Sequence, residues 1–101
     1  MRMMVKFQIP VQIGNEAVRT GKIAKVMEAI MSDLKPEAAY FYASGGSRTA
    51  QMVFDLKEPS QIPMIAEMFF FGMHAQVDFK PVMNAEDLRK GLSALDMKVL
   101  V

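Results

Sequence analysis

His74 is the single histidine of this 101-residue chain. Imidazole is the side chain whose ordinary pKa lies nearest neutrality, so His74 is a candidate acid–base group. One histidine builds no multi-histidine metal site, and no carboxylate–histidine spacing supports one, so neither metal nor cofactor is expected. A lone titratable residue at the start of a strand is more simply a loop-end histidine satisfied by backbone or water. Tyr40 and Tyr42 are the next candidates. Two residues apart on a strand, they share a face, and Asp55 falls on the same face. Phenol and carboxylate groups in a partly dry cavity can orient a phenolic or carbonyl substrate. Aromatic packing across strands at a dimer interface explains them more simply. Gly45-Gly46-Ser47-Arg48 is glycine-rich, but a phosphate loop runs from a strand into a helix. Here two apolar runs flank the glycines, which reads as a turn, with Arg48 a candidate anion contact at the sheet end.

The element that positions these residues is the hairpin Ala38–Leu56, AAYFYASGGSRTAQMVFDL. An even loop over Ser44–Ser47 sets Ala43 opposite Arg48, Tyr42 opposite Thr49, Phe41 opposite Ala50, Tyr40 opposite Gln51 and Ala39 opposite Met52. One face then carries Ala39, Phe41, Ala50, Met52 and Phe54, and is apolar. The other carries Tyr40, Tyr42, Thr49, Gln51, Val53 and Asp55. A one-residue bulge would scramble the apolar set, which favours the even register.

The flanking segments supply the rest. Arg2–Ile9 alternates as a half-buried strand. Val11–Gly14 reads as a connection and Asn15 as the N-cap of a helix reaching Leu34, with Ile23, Val26, Met27, Ile30, Met31 and Leu34 as its stripe. Gly21 interrupts that helix, and the regular part is expected to begin near it. Lys35-Pro36 ends it. A second helix starts after Ser60, buries Ile62, Ile65, Ala66, Phe69 and Met73, and has Gly72 as its C′ residue. Phe69-Phe70-Phe71 cannot all face one core, because each helical step turns about 100°. Phe70 and Phe71 are therefore candidate oligomer contacts. Ala75–Val82 reads as a fourth strand, with Pro81 at an edge or frayed end. Asn84 caps a short helix with Leu88, Leu92 and Leu95 as its apolar positions. Residues 96–101 (DMKVLV) are β-prone, a tail or an extra edge strand.

The order β-α-β-β-α-β predicts an α+β, ferredoxin-like sandwich in one domain, 1–101, with 83–101 a short helix and tail. Its four-stranded antiparallel sheet has strand order 4-1-3-2 and both helices on one face. The uncovered face then carries Met4, Lys6, Gln8, Tyr40, Tyr42, Gln51, Val53, Asp55, Gln76, Asp78 and Lys80. Met4, Tyr40, Tyr42 and Val53 make an apolar centre there, the kind of patch that marks association. A homodimer is expected, its two sheets face to face.

Composition removes several classes. Twelve basic residues balance eleven acidic ones and no basic run breaks the pattern, so no nucleic-acid partner is expected. No stretch approaches the roughly 20 apolar residues of a membrane span, so no membrane partner is expected either. The absence of cysteine excludes disulfide and thiolate chemistry and, with no apolar leader in MRMMVKFQIP, suits a cytoplasmic protein. Eleven methionines are many for this length, and Met fills irregular cores and adaptable surfaces.

The stretches LKPEAAYFYASGGSRTAQMVFDL, PSQIPMIAEMFFFG and PVMNAEDLRKGL resemble a family of small, uncharacterised bacterial proteins. The shared elements are KPEAAYF, a Gly-then-RT turn, D-then-PSQIP, AE-then-FF and PVM-then-EDL. The resemblance implies the ferredoxin-like dimeric α/β barrel, a superfamily that includes monooxygenases and muconolactone-isomerase-like proteins. It carries no established activity. The function expected from the residues is a dimeric barrel that binds a small apolar or aromatic molecule in a sheet-associated cavity. The alternatives are a cofactor-independent enzyme using Tyr40, Tyr42, His74 and Asp55, and a structural subunit of a larger homo-oligomer.

Overall fold

Gly45 and Gly46 both take positive φ, 58° and 80°, as a two-residue type I′ turn requires. The turn joins β2 (Ala38–Ser44) to β3 (Ser47–Asp55), pairing Ala43 with Arg48, Tyr42 with Thr49, Phe41 with Ala50, Tyr40 with Gln51 and Ala39 with Met52. That is the even-loop register expected from the sequence. Gln8 braces the tip from the neighbouring strand: its Nε2 donates to the Ser44 carbonyl at 2.8 Å and to Ser47 Oγ at 3.0 Å.

The computed structural model describes residues 1–100. Besides the hairpin it contains β1 (Arg2–Ile9), α1 (Val11–Thr20), α2 (Lys22–Leu34), α3 (Gln61–Met73), β4 (Gln76–Pro81), α4 (Ala85–Ser93) and α5 (Met97–Leu100). The fold is α+β. Its one sheet is antiparallel throughout, in the order β2-β3-β1-β4. The first crossover is two helices rather than one.

Alternation along β1 puts Met3, Val5, Phe7 and Ile9 under the helices. They meet Ala50, Met52 and Phe54 of β3, Ile30 and Leu34 of α2, and Ile65, Phe69 and Met73 of α3. Phe7 stacks on Phe69 with ring centroids 3.6 Å apart. The adjacent Phe70 and Phe71 point outward, Phe71 the more exposed, as the helical rotation demands.

Four local expectations are corrected. The first helix begins at Val11, not Asn15: Pro10 occupies the N-cap with φ −56° and ψ 141°, and its fixed φ suits the start of a helix. Asn15 lies inside α1. Gly21, at φ 79°, does not merely weaken one helix but separates two, its N–H closing α1 on the Val18 carbonyl. α3 runs through Gly72 to Met73, and the left-handed position falls on His74, at φ 51°. Met97–Leu100 is a helical turn rather than a strand, because Asp96 Oδ1 accepts from the Lys98 N–H at 3.0 Å. The last residue of that β-prone run, 101, lies outside the described residues.

Candidate functional site

The helices do not reach across the whole sheet. The helix-side apolar residues of β1 and β3 are buried, whereas on β2 Ala39 packs against the core and Phe41 does not. Phe41 therefore projects on the helix side yet stays 60% exposed. The gap beside it is a groove of about 330 Å³ lined by Ile9, Val18, Ile23, Met27, Phe41, Tyr42, Arg48, Thr49 and Ala50. Val18 comes from the end of α1, and Ile23 and Met27 from the start of α2, so the Gly21 junction brings its two helical walls together. Arg48 is the charged group on its rim. Its Nη1 donates to Asn15 Oδ1 at 3.0 Å, and a Cβ at Gly14 would sit 2.8 Å from that nitrogen. Asn15, expected as a cap, instead holds this guanidinium.

The opposite sheet face is open, as expected for a four-stranded sheet with its helices on one side. Register rows place Tyr42, Thr49, Gln8 and Gln76 together, then Tyr40, Gln51, Lys6 and Asp78, then Val53, Met4 and Lys80. A chain of contacts crosses the strands: the Tyr42 hydroxyl donates to Gln51 Oε1 at 2.6 Å, and Gln51 Nε2 approaches Met4 Sδ at 2.7 Å. Thr49 is buried even though it stands on this face, packed between Tyr42 and Gln8 in its row. Tyr40 is 68% exposed.

The candidate acid–base residues do not converge within one copy. His74 follows α3 and lines a hollow of about 260 Å³ with Ile13, Ala17, Lys22 and Phe71. Asp55 pairs with Arg2 at the other end of β1, whereas Gln76 pairs with Gln8. At about 3.4 Å per residue the two ends of β1 lie roughly 20 Å apart. Asp55 accepts a hydrogen bond from the Met1 amino group at 2.8 Å, and that bond, then the amino group's charge, holds its carboxyl below the usual range. Beside it Arg2 donates to Glu37 at 2.5 Å, and that bond followed by the Glu37 charge raises the guanidinium above its ordinary value. Among the described residues no group of three or more His, Cys, Asp or Glu side chains could hold a metal ion. No described helix is long and apolar enough to cross a membrane.

Of the residues named from sequence, the hairpin tyrosines, Gln51, Met4 and Val53 do come together on the open face. From sequence Ile23 and Met27 read only as helix-stripe residues and Val18 falls in the irregular stretch before Gly21, so the groove the three form is not legible from them. The available signal was Phe41, a large apolar side chain facing helices whose break at Gly21 stops short of it. No protein-family model matches the chain, and no curated protein sequence matches it at a significant level.

Proposed function

We propose that the chain is a ferredoxin-like subunit of a homodimeric α/β barrel, of the small bacterial family its motifs resemble, and that it binds a small apolar or aromatic molecule. The observation that carries this reading is the groove beside Phe41. Its volume, about 330 Å³, lies at the lower end of small-molecule sites. Its walls are apolar, and Arg48 stands on its rim where a ligand's anionic group would meet it. The strand order supports the ferredoxin-like assignment, and the exposed tyrosines support a face-to-face partner. A cofactor-independent monooxygenase or lactone isomerase would need His74, the tyrosines and Asp55 together, and within one copy they stand apart.

The test uses 8-anilinonaphthalene-1-sulfonate, an apolar aromatic anion whose fluorescence rises in dry sites. Saturable binding at one site per chain is expected. Val18→Trp fills the groove and weakens it about tenfold or more, whereas Phe71→Trp leaves it unchanged. Undiminished binding in Val18→Trp overturns the reading.

A second reading has its own observation. Met64, Met68 and Phe71 form an exposed stripe at i, i+4 and i+7 on the outer side of α3, with Phe70 beside it. Such a stripe suits a structural subunit of a larger homo-oligomer. Light scattering of Phe71→Ser decides it, and an unchanged oligomer sinks that reading.

A further inference from the structure

Among the described residues, the strands' helix side is uncharged except at one position, Arg48. Alternation along β3 puts Arg48 with Ala50, Met52 and Phe54, and its register partners are Ile9 of β1 and Ala43 of β2. A long cationic side chain can lay its stem on apolar surface and keep its head in water. Arg48 is held more closely than that requires. Its Nη1 donates to Asn15 Oδ1 at 3.0 Å, and a Cβ at Gly14 would also crowd its Cδ, at 3.3 Å. Gly14 lies buried in the body of α1, where glycine weakens a helix. Two successive residues of α1 thus serve the guanidinium: Gly14 makes room for it and Asn15 holds it.

That cation has no counter-ion. Among the described residues no carboxylate lies within ion-pair distance of Arg48. Glu16, the acidic residue of α1, is taken up by Arg19, and β2 carries no charge. The hydroxyls of the groove are already committed: Tyr42 donates to Gln51 Oε1 at 2.6 Å, and Thr49 to the Ser47 carbonyl at 3.2 Å. Arg48 still has N–H groups to give, since Asn15 is its one side-chain partner among the described residues. Spare donors with a positive charge, beside apolar walls, favour a head group that accepts and is negative. The planar guanidinium fork matches the two oxygens of a carboxylate.

We propose that the groove takes a monocarboxylate, its apolar body between Val18, Ile23, Met27 and Phe41 and its carboxylate on Arg48. Arg48 is the residue that sets specificity, and Asn15 is its positioning residue. The assignment rests on the groove proposed above as a ligand site and adds the head group that the site selects.

Three ligands that share one body separate head from body: naphthoate, naphthamide and naphthylmethylammonium, each titrated into the full chain by isothermal calorimetry. Naphthoate is expected to bind about tenfold or more tightly than naphthamide, and the ammonium most weakly. Arg48→Gln is expected to abolish the preference for naphthoate while naphthamide binding stays within about twofold, and Arg48→Lys to restore part of it. Asn15→Ala, at an exposed position, is expected to cut the preference severalfold with naphthamide binding unchanged. Naphthamide binding that Val18→Trp weakens, with naphthoate bound no tighter than the amide, overturns the carboxylate assignment and leaves the apolar groove standing. So does a preference for naphthoate that Arg48→Gln leaves intact. Binding of neither ligand, or binding of both that Val18→Trp leaves undiminished, overturns the assignment and the groove reading together.

Discussion

The two edges of the sheet are made differently. β4 reads Gln76-Val77-Asp78-Phe79-Lys80-Pro81, with a lysine–aspartate pair 3.5 Å apart and a proline at its end. Charges and proline on an outer strand are how proteins keep an edge from recruiting another chain. β2 reads Ala38-Ala39-Tyr40-Phe41-Tyr42-Ala43-Ser44 and has none of these devices. It is also the strand whose helix-side Phe41 is left exposed. One edge is finished as surface, and the other is finished only when something lies on it. An interface is therefore recognisable here by missing protection as much as by hydrophobicity.

The sharpest way to break that contrast is to give β2 what β4 already has. Tyr40→Lys/Tyr42→Lys is expected to abolish the dimer at about 10 μM in light scattering, whereas Asp78→Ala/Lys80→Ala leaves the mass unchanged. A smaller effect separates two phenylalanines on the helix side. Phe79 of β4 is partly buried against the core, and Phe41 of β2 is mostly exposed. Phe79→Ala should cost about 2–4 kcal/mol of subunit stability in urea unfolding, and Phe41→Ala less than about 1 kcal/mol, while Phe41→Ala weakens dye binding. Smaller again is the groove rim: Gly14→Ala displaces the Arg48 guanidinium and should weaken the anionic dye severalfold, with a neutral naphthalene probe unaffected. Smallest is Asp55. Its carboxyl is held below its unfolded value, so its contribution is present above the ordinary carboxylate range and fades as pH falls through the lowered value. The group is exposed, so Asp55→Asn should leave the urea midpoint at pH 7 within error.

Much of the fold was legible because its signals are local. Gly45-Gly46 between alternating runs specifies turn and register, and Asn84 three residues before Asp87 specifies a helix start. The misreadings fall where one local rule met a competing one. At Val11 no side-chain cap announces the helix, since Pro10 starts it through its φ alone. At 97–100 β propensity favoured a strand, and one Asp96 hydrogen bond outweighed it. The site was half legible for a different reason. Alternation assigns Tyr40 and Tyr42 to the open face whatever the helices do. The groove depends on how far two helices joined at Gly21 extend over the sheet, and periodicity fixes which way a residue faces but not what stands opposite it.

The central position of β1 bears on how the chain comes together. β1 is one of the two inner strands, and its partners follow some forty-five and seventy-five residues later in the chain. The most local pairing is β2 with β3, a hairpin that closes on a two-residue turn. That hairpin must hold Met52 and Phe54 in water until β1 docks on its inner edge and α3 lies across it. Assembly thus waits on long-range contacts, which makes slow folding the expectation for so small a chain. The nascent species at risk of sticking to its neighbours is the hairpin, exposed on both edges at once.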